Sequence, residues 1–331
     1  MSLHSFRFRS FACYVVVANW ACVSCAWDNP GEAATPQRRA IDFLAAQVPR
    51  WPRENKCFSC HNNGDAARAL YVAQSLGMHV AAGALNETTD WLRQPKRWEH
   101  NGGEGEFNDK QLAAIQFAFA LSEATRAGSI DELGPLIAAA RKVSDFQKPD
   151  GSWQTVPDGT IGSPITYGNV LATVIARRTL IEAGRDRFAE PVAKAEAWLA
   201  KRSPQSVLDS AALLLAFPHT SDRSLLKLHD NSLDVIRSGQ NADGGWSPYV
   251  NSRSEPFDTA IVLLALCGIT EKSELARPIA AGRDFLIASQ QADGSWLETT
   301  RPANDASYAH QISTSGWAAL ALLSAQKKPD D

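Results

Sequence analysis

The chain has 331 residues with 36 acidic and 33 basic side chains, so its formal net charge at neutral pH is only −3. The basic residues are scattered and form no stripe along the sequence, which argues against a nucleic-acid partner. Because 44% of the residues are hydrophobic, we expect a folded protein with a large core rather than a disordered chain.

The first 26 residues have the features of an export signal. Arg7 and Arg9 precede an apolar stretch, which ends in a small-residue cleavage site at Ser24-Cys25-Ala26. The stretch is too short for a stable transmembrane span, although an uncleaved anchor stays open as an alternative. We therefore expect a mature protein outside the cytoplasm, periplasmic or secreted, with a linker over residues 27–37.

A short motif, Cys57-Phe58-Ser59-Cys60-His61, follows the first predicted helix. Two thiols at this spacing can each bond one vinyl group of the same porphyrin, and the imidazole directly after the second thiol reaches the iron. The motif therefore predicts a covalent c-type haem held by Cys57 and Cys60, with His61 as the proximal iron ligand. A Cys57–Cys60 disulfide and a zinc site that uses both thiols and His61 stay open as alternatives.

The sixth iron ligand has three candidates, His100, Met78 and the neighbouring His79, and an open sixth position is an equal alternative. His100 lies in a polar, glycine-rich segment that can fold over a cofactor. Met78 follows His61 at the other end of a predicted helix, and a helix of that length places it about 20 Å away, which disfavours it.

Three segments repeat the pattern Gln-x-x-Asp-Gly-x-Trp, and each comes at the end of a predicted amphipathic helix. They are residues 147–153, 240–246 and 290–296. The Asp-Gly pair predicts a turn, since Gly accepts a positive φ and Asp bonds its own backbone, and we expect the Trp to pack back on the helix just ended. A very apolar helix follows each motif, which is typical of a buried position.

The repeat predicts a complete set of helix pairs. Two earlier pairs, and one pair near residues 195–217 that lacks the turn motif, bring the count to roughly six. The buried helices are predicted at 65–76, 110–124, 170–181, 207–217, 259–269 and 315–325. Six hairpins with the apolar helices inside and the amphipathic helices outside close into an all-α ring, an α/α toroid, over residues 38–326. A ring leaves no exposed hydrophobic end, and residues 327–331 are predicted to form a tail.

The Gln-x-x-Asp-Gly-x-Trp repeat resembles that of the squalene–hopene cyclase and oxidosqualene cyclase family, and protein prenyltransferase β subunits share the toroid. The resemblance implies inner helices that line a central cavity, with their leading loops around its mouth. It implies the fold more strongly than the function, because one fold carries many activities.

The chain departs from the reactive sites that the resemblance implies. Cyclases of the hopene type carry a proton-donating Asp in an Asp-x-Asp-Asp-Thr-Ala run, and the matching run here is residues 255–260, with Phe257 at the position of the acid. Prenyltransferases bind zinc through an Asp-x-Cys pair, and Ala260 stands where that thiolate belongs, so too few ligands are left. We expect Asp258 to cap the helix that follows it.

These features favour an exported, haem-bearing redox protein of cyclase-like fold. It would exchange electrons with a redox partner protein or oxidise a small or apolar molecule in the central cavity. Two alternatives stay open. One is a non-haem terpenoid- or lipid-modifying enzyme, which would need another acid near Glu255. The other is a ligand-binding or scaffold protein with a Cys57–Cys60 disulfide.

Overall fold

The computed structural model describes residues 35–99, 110–269, 273–299, 301 and 307–326. Twelve α-helices and no strand occur within these ranges, which confirms the all-α prediction. None of the helices there is both long enough and apolar enough to cross a membrane. The predicted signal, most of the predicted linker, the tail and His100 lie outside the described residues.

The helices alternate between an outer and an inner position along the chain. The outer helices are α1 (Pro36–Asn55), α3 (Asn86–Leu92), α5 (Leu133–Asp145), α7 (Ala189–Ala200), α9 (Arg223–Gly239) and α11 (Ala276–Ser289). The inner helices are α2 (Ala67–Ser75), α4 (Lys110–Arg126), α6 (Asn169–Glu182), α8 (Val207–Ala216), α10 (Pro256–Cys267) and α12 (Tyr308–Ser324), and a π-helix (Cys60–Ala66) leads into α2. Every predicted inner helix is present, and α12 begins at Tyr308 rather than at residue 315.

The inner helices form a closed ring. Each contacts the next in the order α2, α4, α6, α8, α10 and α12, and α12 returns to contact the π-helix and α2. Two glycines allow this close approach. A Cβ at Gly316 would lie 2.9 Å from the carbonyl oxygen of Asp65, and a Cβ at Gly64 would lie 3.1 Å from the Cβ of Gln116. The predicted α/α toroid of six hairpins is therefore confirmed.

The repeated motif joins each hairpin to its neighbour. In the first copy, Gln147 Nε2 donates to the carbonyl oxygens of Gly151, at 3.0 Å, and of Pro191, at 2.8 Å, in the next outer helix. Trp153 is fully buried, and its Nε1 donates to the carbonyl oxygen of Val143 in the helix just ended, at 2.7 Å. The expected packing of the Trp against the preceding helix is thus confirmed.

The last copy of the motif closes the ring against the first outer helix. Gln290 Nε2 donates to the carbonyl oxygen of Pro36 at 2.9 Å. Gly294 has a φ of +92°, and a Cβ there would lie 2.2 Å from the carbonyl oxygen of Arg39. Only glycine fits, because both the backbone conformation and the close contact exclude a side chain.

We expect Gly294→Ala to destabilise the protein more than Gly128→Ala. Gly128 also has a positive φ, but a Cβ there would meet nothing within 4 Å. The control therefore bears only the conformational cost of about 1–2 kcal/mol, and the clash with α1 adds about 1–3 kcal/mol to the cost at position 294. Urea unfolding measures both. Equal losses would contradict the role of Gly294 in closing the ring.

Candidate active site at the centre of the ring

A buried carboxyl group, Asp65, connects several inner helices at the centre of the ring. It lies in the π-helix and is fully buried. Its Oδ2 accepts hydrogen bonds from Gln116 Nε2, at 2.9 Å, and from Ser313 Oγ, at 2.7 Å. Its Oδ1 accepts from the Tyr167 hydroxyl. Burial raises the pKa of Asp65, and the charge of Arg68 and these three hydrogen bonds oppose that rise.

Tyr167 holds its hydroxyl at Asp65 through a strained backbone. Its φ is +64°, a left-handed conformation that is uncommon for a bulky residue. The close packing of the loop supports this conformation, because a Cβ at Gly162 would lie 2.1 Å from the Tyr167 carbonyl oxygen. Backbone strain that is retained beside a buried carboxyl group marks a candidate functional site.

Aromatic rings surround the charged groups at the centre. The Arg68 guanidinium carbon lies 3.8 Å from the ring centroid of Trp317 and 4.4 Å from that of Phe119. Trp317 also meets Tyr167 edge-on, with ring centroids 5.5 Å apart, and Phe257 edge-on, at 6.1 Å. Trp317 therefore links the surroundings of Asp65 to the start of α10.

A second buried carboxyl group, Asp258, lies at that start. Arg301 holds it with two bonds, from Nη1 to Oδ1 at 3.2 Å and from Nη2 to Oδ2 at 2.6 Å. The prediction that Asp258 caps α10 is wrong. Glu255 occupies the cap position, and a guanidinium is a stronger partner for the Asp258 carboxylate than backbone amides are.

The environment of Asp258 favours its protonated form. Burial is the largest cause and raises its pKa to about 8. The charge of Arg301 opposes this rise, whereas the neighbouring Glu255 carboxyl group adds to it. These surroundings therefore shift the Asp258 carboxyl group towards its protonated form.

The Cys57–His61 motif lies where the sequence places it, between α1 and the first inner helix. Both thiols are partly exposed, and no disulfide joins them. His61 is half-buried, and its Nδ1 lies 2.9 Å from Ser313 Oγ. Burial, and secondarily the nearby His310, lower the pKa of His61 to about 4, so the imidazole is neutral at physiological pH.

The hydrogen bonds of Ser313 determine which nitrogen of His61 carries the proton. The Ser313 hydroxyl gives its only proton to Asp65, so the Nδ1–H of His61 donates to the Ser313 oxygen. The lone pair of His61 then lies on Nε2. This is the tautomer that binds a metal through Nε2.

The structure does not bring Met78 to His61. Met78 follows the end of α2, whereas His61 lies at the start of the π-helix, and the rise of the intervening helix separates them by about 20 Å. Another candidate for the sixth ligand, His100, lies outside the described residues. Within those residues, no group of three or more His, Cys, Asp and Glu side chains is arranged to hold a metal ion.

The sequence interpretation missed the central residues Asp65, Arg68, Gln116 and Tyr167. A signal for two of them was present. Asp65 and Arg68 lie three positions apart in a helix that the repeat predicts to be buried, and charged side chains are rarely buried without a partner. Nothing near Tyr167 in the sequence indicates that its hydroxyl reaches a residue 102 positions away.

No family model and no curated protein matches the chain. Among solved structures, a variant of the type II terpene cyclase MstE from Scytonema, in complex with geranylgeranyl dihydroxybenzoate, is 12% identical over 88% of this chain and 97% of its own, with a TM-score of 0.57. A protein from Actinoplanes is 18% identical over 89% of this chain and 99% of its own, with a TM-score of 0.56.

The ent-copalyl diphosphate synthase from Streptomyces platensis is also similar, with 18% identity over 78% of this chain and 49% of its own and a TM-score of 0.51. At such identities the likeness establishes the fold. The chain has the terpene cyclase-like α/α toroid that its repeat indicates.

We expect Tyr167→Phe to cost more stability than Tyr71→Phe. Both tyrosines are fully buried, but Tyr167 donates to a carboxyl group, whereas the Tyr71 hydroxyl pairs with Thr89 Oγ1 at 2.8 Å. Loss of a bond to a charged acceptor costs about 1.5–3 kcal/mol, against about 0.5–1.5 kcal/mol for a neutral pair. Urea unfolding of both variants is the measurement. A loss at Tyr167 no larger than that at Tyr71 would show that Asp65 is not a charged acceptor.

Proposed function

We propose that this protein is a non-haem, cyclase-like enzyme that protonates a carbon–carbon double bond of an apolar, isoprenoid-type molecule. The observation that carries the proposal is Asp258, a fully buried carboxyl group with a pKa raised to about 8. It lies one residue after Phe257, in the run where the resembled cyclases carry their acid. The substrate named for the MstE complex, geranylgeranyl dihydroxybenzoate, supports the choice of substrate class.

Arg301 and Glu255 assist Asp258 as a proton donor in two different ways. Arg301 Nη2 lies 2.6 Å from Asp258 Oδ2 and 3.5 Å from Glu255 Oε2, so it stabilises the carboxylate that remains after proton transfer. The Glu255 side chain is 32% exposed and that of Asp258 is 0% exposed. Glu255 therefore connects the buried acid to solvent and can return a proton to it.

The proposed reaction consumes no proton overall. The Asp258 proton adds to one alkene carbon, the π electrons form the new C–H bond, and the neighbouring carbon becomes cationic. A second double bond attacks that carbon and closes a ring, loss of a proton to water then restores a neutral product, and a proton from solvent returns to Asp258 by way of Glu255. Aromatic faces such as those of Phe257 and Tyr167 stabilise a cation through cation–π attraction.

We expect Asp258→Asn to lower the rate of product formation at least about 100-fold, since general acids contribute about 10²–10⁴-fold. Asp209→Asn is the matched control. Asp209 is the third residue of α8, as Asp258 is of α10, and burial also raises its pKa. The measurement is gas chromatography with mass spectrometry after incubation with geranylgeraniol. A normal rate in Asp258→Asn, or equal losses in both variants, would contradict the assignment.

The wild-type rate should also depend on pH. Asp258 must be protonated to act, so the rate is expected to fall as the pH rises through about 8. An unchanged rate between pH 6 and pH 10 would exclude Asp258 as the donor.

We also propose a second candidate function, a redox role with covalent haem, because the residues of the Cys57–His61 motif fit that group. The two thiols are partly exposed, the His61 ring is neutral, and its bond to Ser313 leaves Nε2 as the ligating nitrogen. Cys57 and Cys60 would hold the porphyrin and His61 the iron. When bound, haem c supplies one-electron transfer to or from a redox partner. Attachment would require export, as residues 1–26 predict.

This candidate is tested by the absorption spectrum of the full chain, exported in a host that matures c-type haem. A pyridine haemochrome band that survives acid–acetone extraction is expected for the wild type and for Cys267→Ser. The band should disappear in the double variant Cys57→Ser, Cys60→Ser, because both thioether bonds are lost. A colourless wild-type protein would exclude the haem candidate.

A further inference from the structure

Arg68 is a buried cation without hydrogen bonds at the centre of the ring. The residue is 1% exposed, and its Nε, Nη1 and Nη2 atoms have no hydrogen-bond partner. The nearest carboxylate oxygen is Asp65 Oδ1, 3.9 Å from Nη1. Both oxygens of Asp65 already accept hydrogen bonds from other side chains. The five N–H groups of a guanidinium are therefore all left unused.

Two aromatic rings stack on the Arg68 guanidinium, while its nitrogen atoms have no hydrogen-bond partner. The rings of Trp317 and Phe119 contact the guanidinium, with centroids 3.8 and 4.4 Å from its central carbon. Such stacking holds the guanidinium plane in one orientation, and the N–H groups lie within that plane around its edge. A rigid planar fork of this kind matches the two oxygens of a carboxylate or phosphate group.

A second arginine, Arg178, also contacts the Phe119 ring, but its guanidinium is hydrogen-bonded within the protein. Arg178 lies over the Phe119 ring as well, at 5.0 Å. Its Nη2 donates to Glu123 at 2.8 Å and its Nε donates to Glu182 at 2.9 Å. The protein itself thus supplies hydrogen-bond acceptors to Arg178. It supplies none to Arg68, and a buried donor without an acceptor is costly unless another group accepts from it.

We propose that Arg68 binds an oxyanion, a carboxylate or phosphate group, carried by the apolar ligand of the central site. The inference rests on the proposed function in one respect, namely that the ligand is apolar and isoprenoid-like. Charge gives an additional reason. A guanidinium on the faces of Trp317 and Phe119 repels a developing carbocation, and an anionic group on the substrate offsets that repulsion.

The position of Arg68 along its helix determines how far inside the ring the anionic group of the ligand binds. Arg68 is seven residues after the half-buried His61 on the same helical segment, which corresponds to about 10 Å along the axis. The anionic end of the ligand therefore lies inside the ring rather than at its mouth. Asp65 lies one turn from Arg68, and burial raises its pKa.

The test is calorimetric titration of the full chain with three probes of equal chain length: farnesoic acid, farnesyl monophosphate and farnesol. We expect at least one of the two anionic probes to bind about 10–100-fold more tightly than the alcohol, the range of a charge-assisted hydrogen bond. Whichever anion binds better identifies the oxyanion. Arg68→Met should abolish the preference, and Arg178→Met should preserve it.

Equal affinity for all three probes in the wild type would overturn the proposal, as would a preference that survives in Arg68→Met. If Arg68→Met does not fold, Arg68→Lys keeps the charge but loses the fork, and it should reduce the preference. The outcome is separable from that of the proposed function. Turnover of geranylgeraniol without any anion preference contradicts only this inference, whereas anion preference without turnover of either geranylgeraniol or the preferred anionic probe contradicts only the proposed function.

Discussion

A ring of helices is stable only if its last hairpin reaches its first. Here that contact is made by the final repeated motif, in which the Gln290 amide donates to the Pro36 carbonyl and Gly294 packs on the backbone of α1. The other two motifs make the same contact with the outer helix that follows them. Because the ring is closed, residues 248 positions apart, Asp65 and Ser313, are hydrogen-bonded neighbours.

The same closure concentrates ionisable groups where water is excluded. Asp65 is compensated by three hydrogen bonds from different parts of the ring, and burial raises the pKa of Asp258 despite its contact with Arg301. Arg68 lies between two aromatic rings, 3.9 Å from Asp65 Oδ1, and makes no hydrogen bond. An acid with a raised pKa, a compensated carboxyl group and a cation without hydrogen bonds within one apolar centre form an arrangement suited to chemistry, because electrostatic interactions are strong there.

Helix positions were predictable because they depend on local patterns. The inner helix at 207–217 was recognisable from its apolar run although its turn motif is missing, and the structure has it at Val207–Ala216. Asp258 shows the limit of such reasoning. Its position before an apolar run predicts a helix cap. In the structure its carboxyl group instead accepts from the guanidinium of Arg301, 43 residues away. The motif Cys57–His61 was placed correctly between two helices, and its predicted haem stays a prediction.

Sequence alone therefore determined the number of hairpins, the order of outer and inner helices and the ring. These features depend on apolar periodicity and on the Gln-x-x-Asp-Gly-x-Trp repeat, and both patterns involve contacts within one hairpin or between neighbouring hairpins. Only the tertiary structure decided which charged groups meet at the centre. Tyr167, Gln116 and Ser313 reach Asp65 from three different inner-ring segments, and no spacing along the chain encodes that meeting. It follows from closing the ring, which sets the distances between helices that are remote in sequence.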